Sequence, residues 1–270
     1  MKKTNYSAER QKYLLGKKKN KIFIISCRIL ILIAILSLWE ILATLNVIDA
    51  FITSSPSKII TTAKKLFAEN NLTYHMSITL YETFMGFMIS AIFGYLIALL
   101  LWWSENLRNV LEPYIVVLNS LPKIALGPII IVWFGAGIKS IIFMTIIIGI
   151  IVSIITMLNG FIATDNNKIL LLKTMGASKF QILNKLVIPS SVKTFISMLK
   201  INVGLSWIGS IMGEYLVSKA GLGYLIVYGG QVFKLDLVYA ATLTLCLLAT
   251  GMYALVSLIE KITVGKKQTS

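Results

Sequence analysis

Apolar residues fall in six long runs divided by short polar stretches, at about 22–45, 76–103, 113–134, 140–163, 192–217 and 237–259. An α-helix rises 1.5 Å per residue, so about 20 mostly apolar residues cross a ~30 Å hydrocarbon layer. The pattern predicts an all-α polytopic membrane protein with six transmembrane helices. The third run carries Pro122 and Pro128. Neighbouring helices can satisfy the backbone groups that a proline frees. The run is therefore read as one kinked span, with a re-entrant pair of half-helices as the other solution. Residues 22–260 form one membrane domain, between a basic tail at 1–21 and a short tail at 261–270. The first run is too long for a signal-peptide core and is read as a retained helix.

Composition agrees. Of 270 residues, 57% are hydrophobic and 14% charged, with mean hydropathy +0.82. Soluble domains are about 45–50% apolar and about 25% charged. Cys27 and Cys246, the only cysteines, lie inside apolar runs, which excludes a disulfide scaffold. The formal net charge is +15. In this class it points to basic cytoplasmic loops rather than nucleic-acid binding. Lys2, Lys3, Arg10, Lys12, Lys17, Lys18, Lys19 and Lys21 precede the first span against Glu9 alone. Arg108, Lys168, Lys173, Lys179, Lys185, Lys261, Lys266 and Lys267 fall on the same side, and Lys58, Lys64, Lys65, Lys139, Lys219 and Lys234 on the other. Both termini are expected in the cytoplasm. The basic tail is a topology signal or, alternatively, a recruiter of anionic lipid.

Enzyme signatures are absent. No phosphate loop, nucleophile elbow or paired-histidine helix occurs, and His75 is the only histidine. It is read as an interfacial residue, not a metal ligand. No cofactor is expected on this chain, so uphill transport needs an ion gradient or another subunit.

The stretch 164–189 between the fourth and fifth spans is polar, then amphipathic, broken at Gly176, and amphipathic again to Pro189. Asp165 or Asn166 can cap a first short helix, Gly176 suits its left-handed end, and a second helix is expected at about 178–187. The result is a helix pair along the inner face, shaped to be gripped by a cytoplasmic partner or simply lying in the headgroups.

In the fifth span, Asn202, Ser206, Ser210 and Glu214 recur every four residues and form one stripe, with Gly204, Gly209 and Gly213 between them. Polar side chains are costly in lipid, so the stripe faces protein or water. Close helix packing and a solute path are both open for it; for Glu214 a path or gating role is favoured. Asn119 and Lys123 in the third span are further path candidates. Lys123 meets an anionic substrate, pairs with Glu82 or Glu214, or binds a headgroup. Lys200 is expected to snorkel inward, and Glu40 beside Trp39 to pack or lie at an interface. The outer stretch 218–236, with Gly221, Gly223 and Tyr224, forms a lid over the pore or a landing surface.

The loop motif resembles the coupling motif of binding-protein-dependent ABC importer permeases: Glu-Ala-Ala, three residues, Gly, nine residues, Ile-x-Leu-Pro. Gly176 supplies the glycine and Leu186-Val187-Ile188-Pro189 the end, while Leu170-Leu171-Leu172 stand for Glu-Ala-Ala. The resemblance runs over about 52–239 and is strongest to the nitrate, sulfonate and taurine branch. It is carried by Ser55-Pro56-Ser57, Thr79 to Phe87, Leu121 to Pro128, Trp133-Phe134-Gly135, Met175-Gly176-Ala177-Ser178, Gly204 to Gly209 and Gly221 to Ile226. Where that branch usually has arginine, this chain has Glu82.

The resemblance implies a bacterial inner-membrane channel subunit that is not itself an enzyme. Two copies would form the path. Two ATPase subunits, holding ATP and Mg, would dock at Leu170, Leu171, Leu172, Gly176, Ala177, Ser178 and Pro189. An extracytoplasmic solute-binding protein would deliver a small solute such as a sulfonate, nitrate or taurine. The alternative is a secondary transporter driven by an ion gradient, which needs midplane carboxylates and inverted repeats. Glu40, Glu82 and Glu214 lie toward span ends, and no internal repeat is visible. An assembly scaffold is the third reading.

Overall fold

The computed structural model describes residues 8–49, 51–69 and 71–265, and these are almost wholly helical with no strand among them. Lys2, Lys3, Lys266 and Lys267 of the two expected tails lie outside the described residues. Contacts divide the chain between Thr62 and Ala63 into two units.

In the first unit, α1 (Ala8–Thr44) begins well before the apolar run, so the expected tail is helical from Ala8. None of the apolar window of α1 is buried. A short helix not expected from the sequence, α2 (Pro56–Ala68), follows. Pro56 pre-sets the helical φ at the first position. The Glu40 carboxylate accepts from Ser57 N (2.9 Å) and Ser57 Oγ (2.7 Å), satisfying an otherwise unpaired helix-start amide.

The second unit is built around α3 (Asn71–Trp103), α6 (Ile138–Ile162) and α10 (Val192–Val217), which pack together most extensively. Gly209 and Gly213 allow this closeness: an added Cβ would lie 2.6 Å from Thr145 Cα and 3.0 Å from Ile141 Cα. One apolar cluster joins Ala98 and Leu101 of α3, Met157 and Phe161 of α6 and Met198 of α10. A second joins Phe87 and Trp207 to Leu222 and Leu225 of α11 (Leu222–Gln231) and Leu237, Ala241 and Leu245 of α12 (Leu235–Gly265).

The third apolar run is interrupted, as either reading of its prolines requires. It is two helices, α4 (Glu105–Ser120) and α5 (Gly127–Phe134), joined by a 3-10 turn at Lys123–Leu126 and bent by 87°. The prolines explain the break. Pro122 forces Leu121 out of helical backbone (φ −65°, ψ 140°), ending α4. Pro128 sits in the first turn of α5, where its missing N–H costs nothing. Five described helices are long and apolar enough to span a bilayer, or six if the bent pair counts as one span.

The helix pair at 164–189 is present. Asp165 Oδ1 accepts from Asn167 N (2.9 Å) at the start of α7 (Asn166–Thr174). Gly176 ends it at φ +80°, with Ala177 N donating to Leu172 O and Gly176 N to Lys173 O. The second helix runs slightly beyond its expected end and is irregular. It comprises α8 (Lys179–Ile182), a π turn at Leu183–Val187 and α9 (Ile188–Ser190). Pro189 lacks an N–H and crowds the carbonyl four residues back, and the widened turn absorbs it.

Candidate functional site

The stripe on α10 meets a second polar stripe on α3. Asn202, Ser206, Ser210 and Glu214 are all 0–1% exposed, so in this chain they line packed protein rather than open space. Asn202 Nδ2 donates to Ser90 Oγ (2.9 Å), and Thr83 Oγ1 and Ser210 Oγ are 2.6 Å apart. Gly149 of α6 closes the third side, where a Cβ would fall 2.3 Å from Asn202 Oδ1. Ser206 Oγ has no partner among the described residues.

At the far end of this seam, α11 is capped from elsewhere in the chain. A helix start leaves its first N–H groups without intrahelical partners. Here Gly221 N donates to His75 Nδ1 (2.9 Å), Leu222 N to Thr79 Oγ1 (2.8 Å) and Gly223 N to Glu214 Oε2 (2.5 Å). Tyr224 stacks on His75, centroids 5.9 Å apart. Gly221, Gly223 and Tyr224 are therefore tied to α3 and α10, and the stretch expected as a lid or landing surface is a docked helix.

Glu82 on α3 and Glu214 on α10 are both almost fully buried. Both oxygens of Glu82, and Oε1 of Glu214, find no donor among the described residues.

Sequence reasoning missed His75 and Thr79 as caps of α11 and read His75 as interfacial; it is 7% exposed and holds an amide. A signal existed, because residues 75, 79 and 82 recur at helical spacing and share one face of α3. Lys123 forms no ion pair with Glu82 or Glu214; its Nζ donates to Asn119 O (2.9 Å). Asn119 and Lys123 thus sit together at the α4–α5 bend, joined to the α10 stripe by no hydrogen bond among the described residues. Lys200 pairs with Glu260 of α12 at 2.6 Å.

The helix pair has two contrasting faces. Leu170 (61% exposed), Leu171 (59%), Met175 (73%) and Phe180 (62%) project outward. Ile182, Leu183 and Val187 are buried in the cluster of α3, α6 and α10. Leu172 and Ala177 are half-buried against that cluster, and Ser178 caps α8. Thr164 Oγ1 and Ser190 Oγ, 3.1 Å apart, close the base of the loop. The arrangement is an exposed apolar surface fixed on a buried root.

A family model described as "Binding-protein-dependent transport system inner membrane component" matches residues 86–263. A probable ABC transporter permease protein of Haemophilus influenzae is 31% identical over 83% of this chain and 91% of its own length. A putative aliphatic sulfonates transport permease protein of Bacillus subtilis is 24% identical over 84% and 82% respectively. Among solved structures, a bacterial ABC transporter involved in import of the acidic polysaccharide alginate has a chain of the same fold (TM-score 0.62, 14% identity, 92% of this chain and 99% of that one).

Proposed function

The chain belongs to the family of binding-protein-dependent transport system inner membrane components, and from that premise we propose how it works. It is a permease subunit of an ABC importer, a transport component rather than an enzyme. In our reading two copies enclose the solute path, and both termini face the cytoplasm. Two ATPase subunits, which alone hold ATP and Mg, dock on α7 and α8. A solute-binding protein delivers cargo to the end that carries α11. The cargo is a small solute of the sulfonate, nitrate or taurine kind; the sulfonate permease of B. subtilis supports that class.

One observation carries the reading. The exposed leucines at 170 and 171 stand on α7, and the helix that follows it buries Ile182, Leu183 and Val187 in the apolar cluster of the core. A force on the exposed face reaches α3, α6 and α10 as a rigid displacement, because packed interiors do not deform continuously. ATP-driven closure of the ATPases then rocks the permease copies between inward-open and outward-open states. The packed α10 stripe moves within that rigid body, while Asn119 and Lys123 at the α4–α5 bend are the side chains of this chain placed to meet solute.

Gly176→Val is the test. A β-branched residue at φ +80° costs roughly 1–2 kcal/mol and redirects α8. Uptake should fall while ATP hydrolysis by the assembled transporter persists. Wild-type uptake in that variant refutes the role given to the loop. The sulfonate, nitrate and taurine assignment is tested separately by calorimetry on the partner binding protein.

A further inference from the structure

We propose that Lys179 is a positioning residue that carries motion of the α7–α8 loop to the junction of α3 and α4. The inference rests on the reading of that loop as the ATPase docking element.

Lys179 opens α8, and its backbone is held by a capping box. Ser178 Oγ accepts from Gln181 N (3.3 Å), and Ser178 N donates to Gln181 Oε1 (2.8 Å). From there the side chain crosses to a helix 76 residues away in sequence. Its ammonium donates to Trp103 O at 2.6 Å. It also lies 5.4 Å from the Trp103 ring centroid and 5.9 Å from that of Trp102, within cation–π range of both. Trp103 is the last residue of α3, where unpaired carbonyls concentrate negative partial charge and favour a cation. The next residue, Ser104, is the N-cap of α4, accepting from Leu107 N at 3.2 Å.

The contact supplies what the buried root lacks. Ile182, Leu183 and Val187 root the loop in the core through apolar packing, which is non-directional and specifies no single hydrogen-bond axis. A hydrogen bond with an axis, placed at the exposed end of α8, fixes the rotation. Two attachments of different kind make α8 and the end of α3 turn together. The motion then passes through Ser104 into α4, whose far end carries Asn119 and leads to Lys123 at the bend. Lys179 is exposed, so the contact adds little to stability. Its consequence is geometric, and variants at this position are expected to fold.

The test uses the permease assembled with its ATPase subunits in lipid nanodiscs, with Cys27→Ser and Cys246→Ser. An environment-sensitive fluorophore is placed on Lys173→Cys in the loop, or on Asn106→Cys at the start of α4, both exposed. ATP with vanadate is the stimulus. In the otherwise unmodified protein and in Lys179→Arg, which keeps cation and donor, both labels should respond. In Lys179→Met the loop label should still respond, while the response at Asn106→Cys is largely lost, because the directional link between α8 and the end of α3 is gone. An undiminished response at Asn106→Cys in Lys179→Met overturns the proposal. A silent loop label in every form instead overturns the docking role of the loop, and this inference with it.

Discussion

Gly221→Ala probes the docking of α11 on the seam. Gly221 has φ +117° and ψ 168°, a region that L residues other than glycine hardly enter, at a cost of roughly 1–3 kcal/mol. Space adds a second penalty. An added Cβ would lie 2.4 Å from Cδ, Oε1 and Oε2 of Glu214. Glu214 is 1% exposed, so its carboxyl has no solvent to retreat into. If it moves, Gly223 N loses its acceptor at 2.5 Å, and a buried donor left unpaired costs about 1–3 kcal/mol. Together the substitution should destabilise by about 3–5 kcal/mol. For a chain of this size that lowers the unfolding midpoint by roughly 10 °C. The assay is thermal unfolding of the purified permease in detergent, followed by intrinsic fluorescence. A cycle with Glu214→Ala separates the two causes, since removing the carboxyl relieves the clash but not the backbone strain; the two changes should be less than additive by about 1–2 kcal/mol. A midpoint within a degree of wild type for Gly221→Ala would refute both the lid geometry and the cradle around Glu214.

Three further outcomes follow from the same packing. Gly204 lies within α10 with nothing within 4 Å of its missing Cβ, so Gly204→Ala should stabilise by about 0.5–1 kcal/mol, a shift that the same melts would reveal. Glu82→Gln removes a buried carboxyl whose oxygens find no donor among the described residues, and should leave the midpoint no lower than that of the wild type; a lower midpoint would contradict the burial of an unpaired carboxyl there. Lys200→Met breaks a pair whose acid, Glu260, is 41% exposed, so the loss should not exceed about 1 kcal/mol, checked by comparing its melting curve with that of Glu260→Gln.

The apolar runs by themselves determined that this is a helical membrane protein, because bilayer thickness and helix rise convert run length directly into spans. The loop around Gly176 was also legible: Asp165 and Gly176 act on backbone groups a few residues away, so their spacing carries their roles. The periodicity of Asn202, Ser206, Ser210 and Glu214 showed that they share a face, yet not what that face meets. Only the tertiary structure decided that it packs on Ser90, Thr83 and Gly149, and that His75, Thr79 and Glu214 cap a helix up to 146 residues away. It also placed the break in the third run at Leu121 and Pro122 and set its bend at 87°. Hydrophobic pattern and capping are local, set by neighbours along the chain. The partner of a buried polar group is set by which helices come to lie against it, and that depends on the packing of the whole bundle.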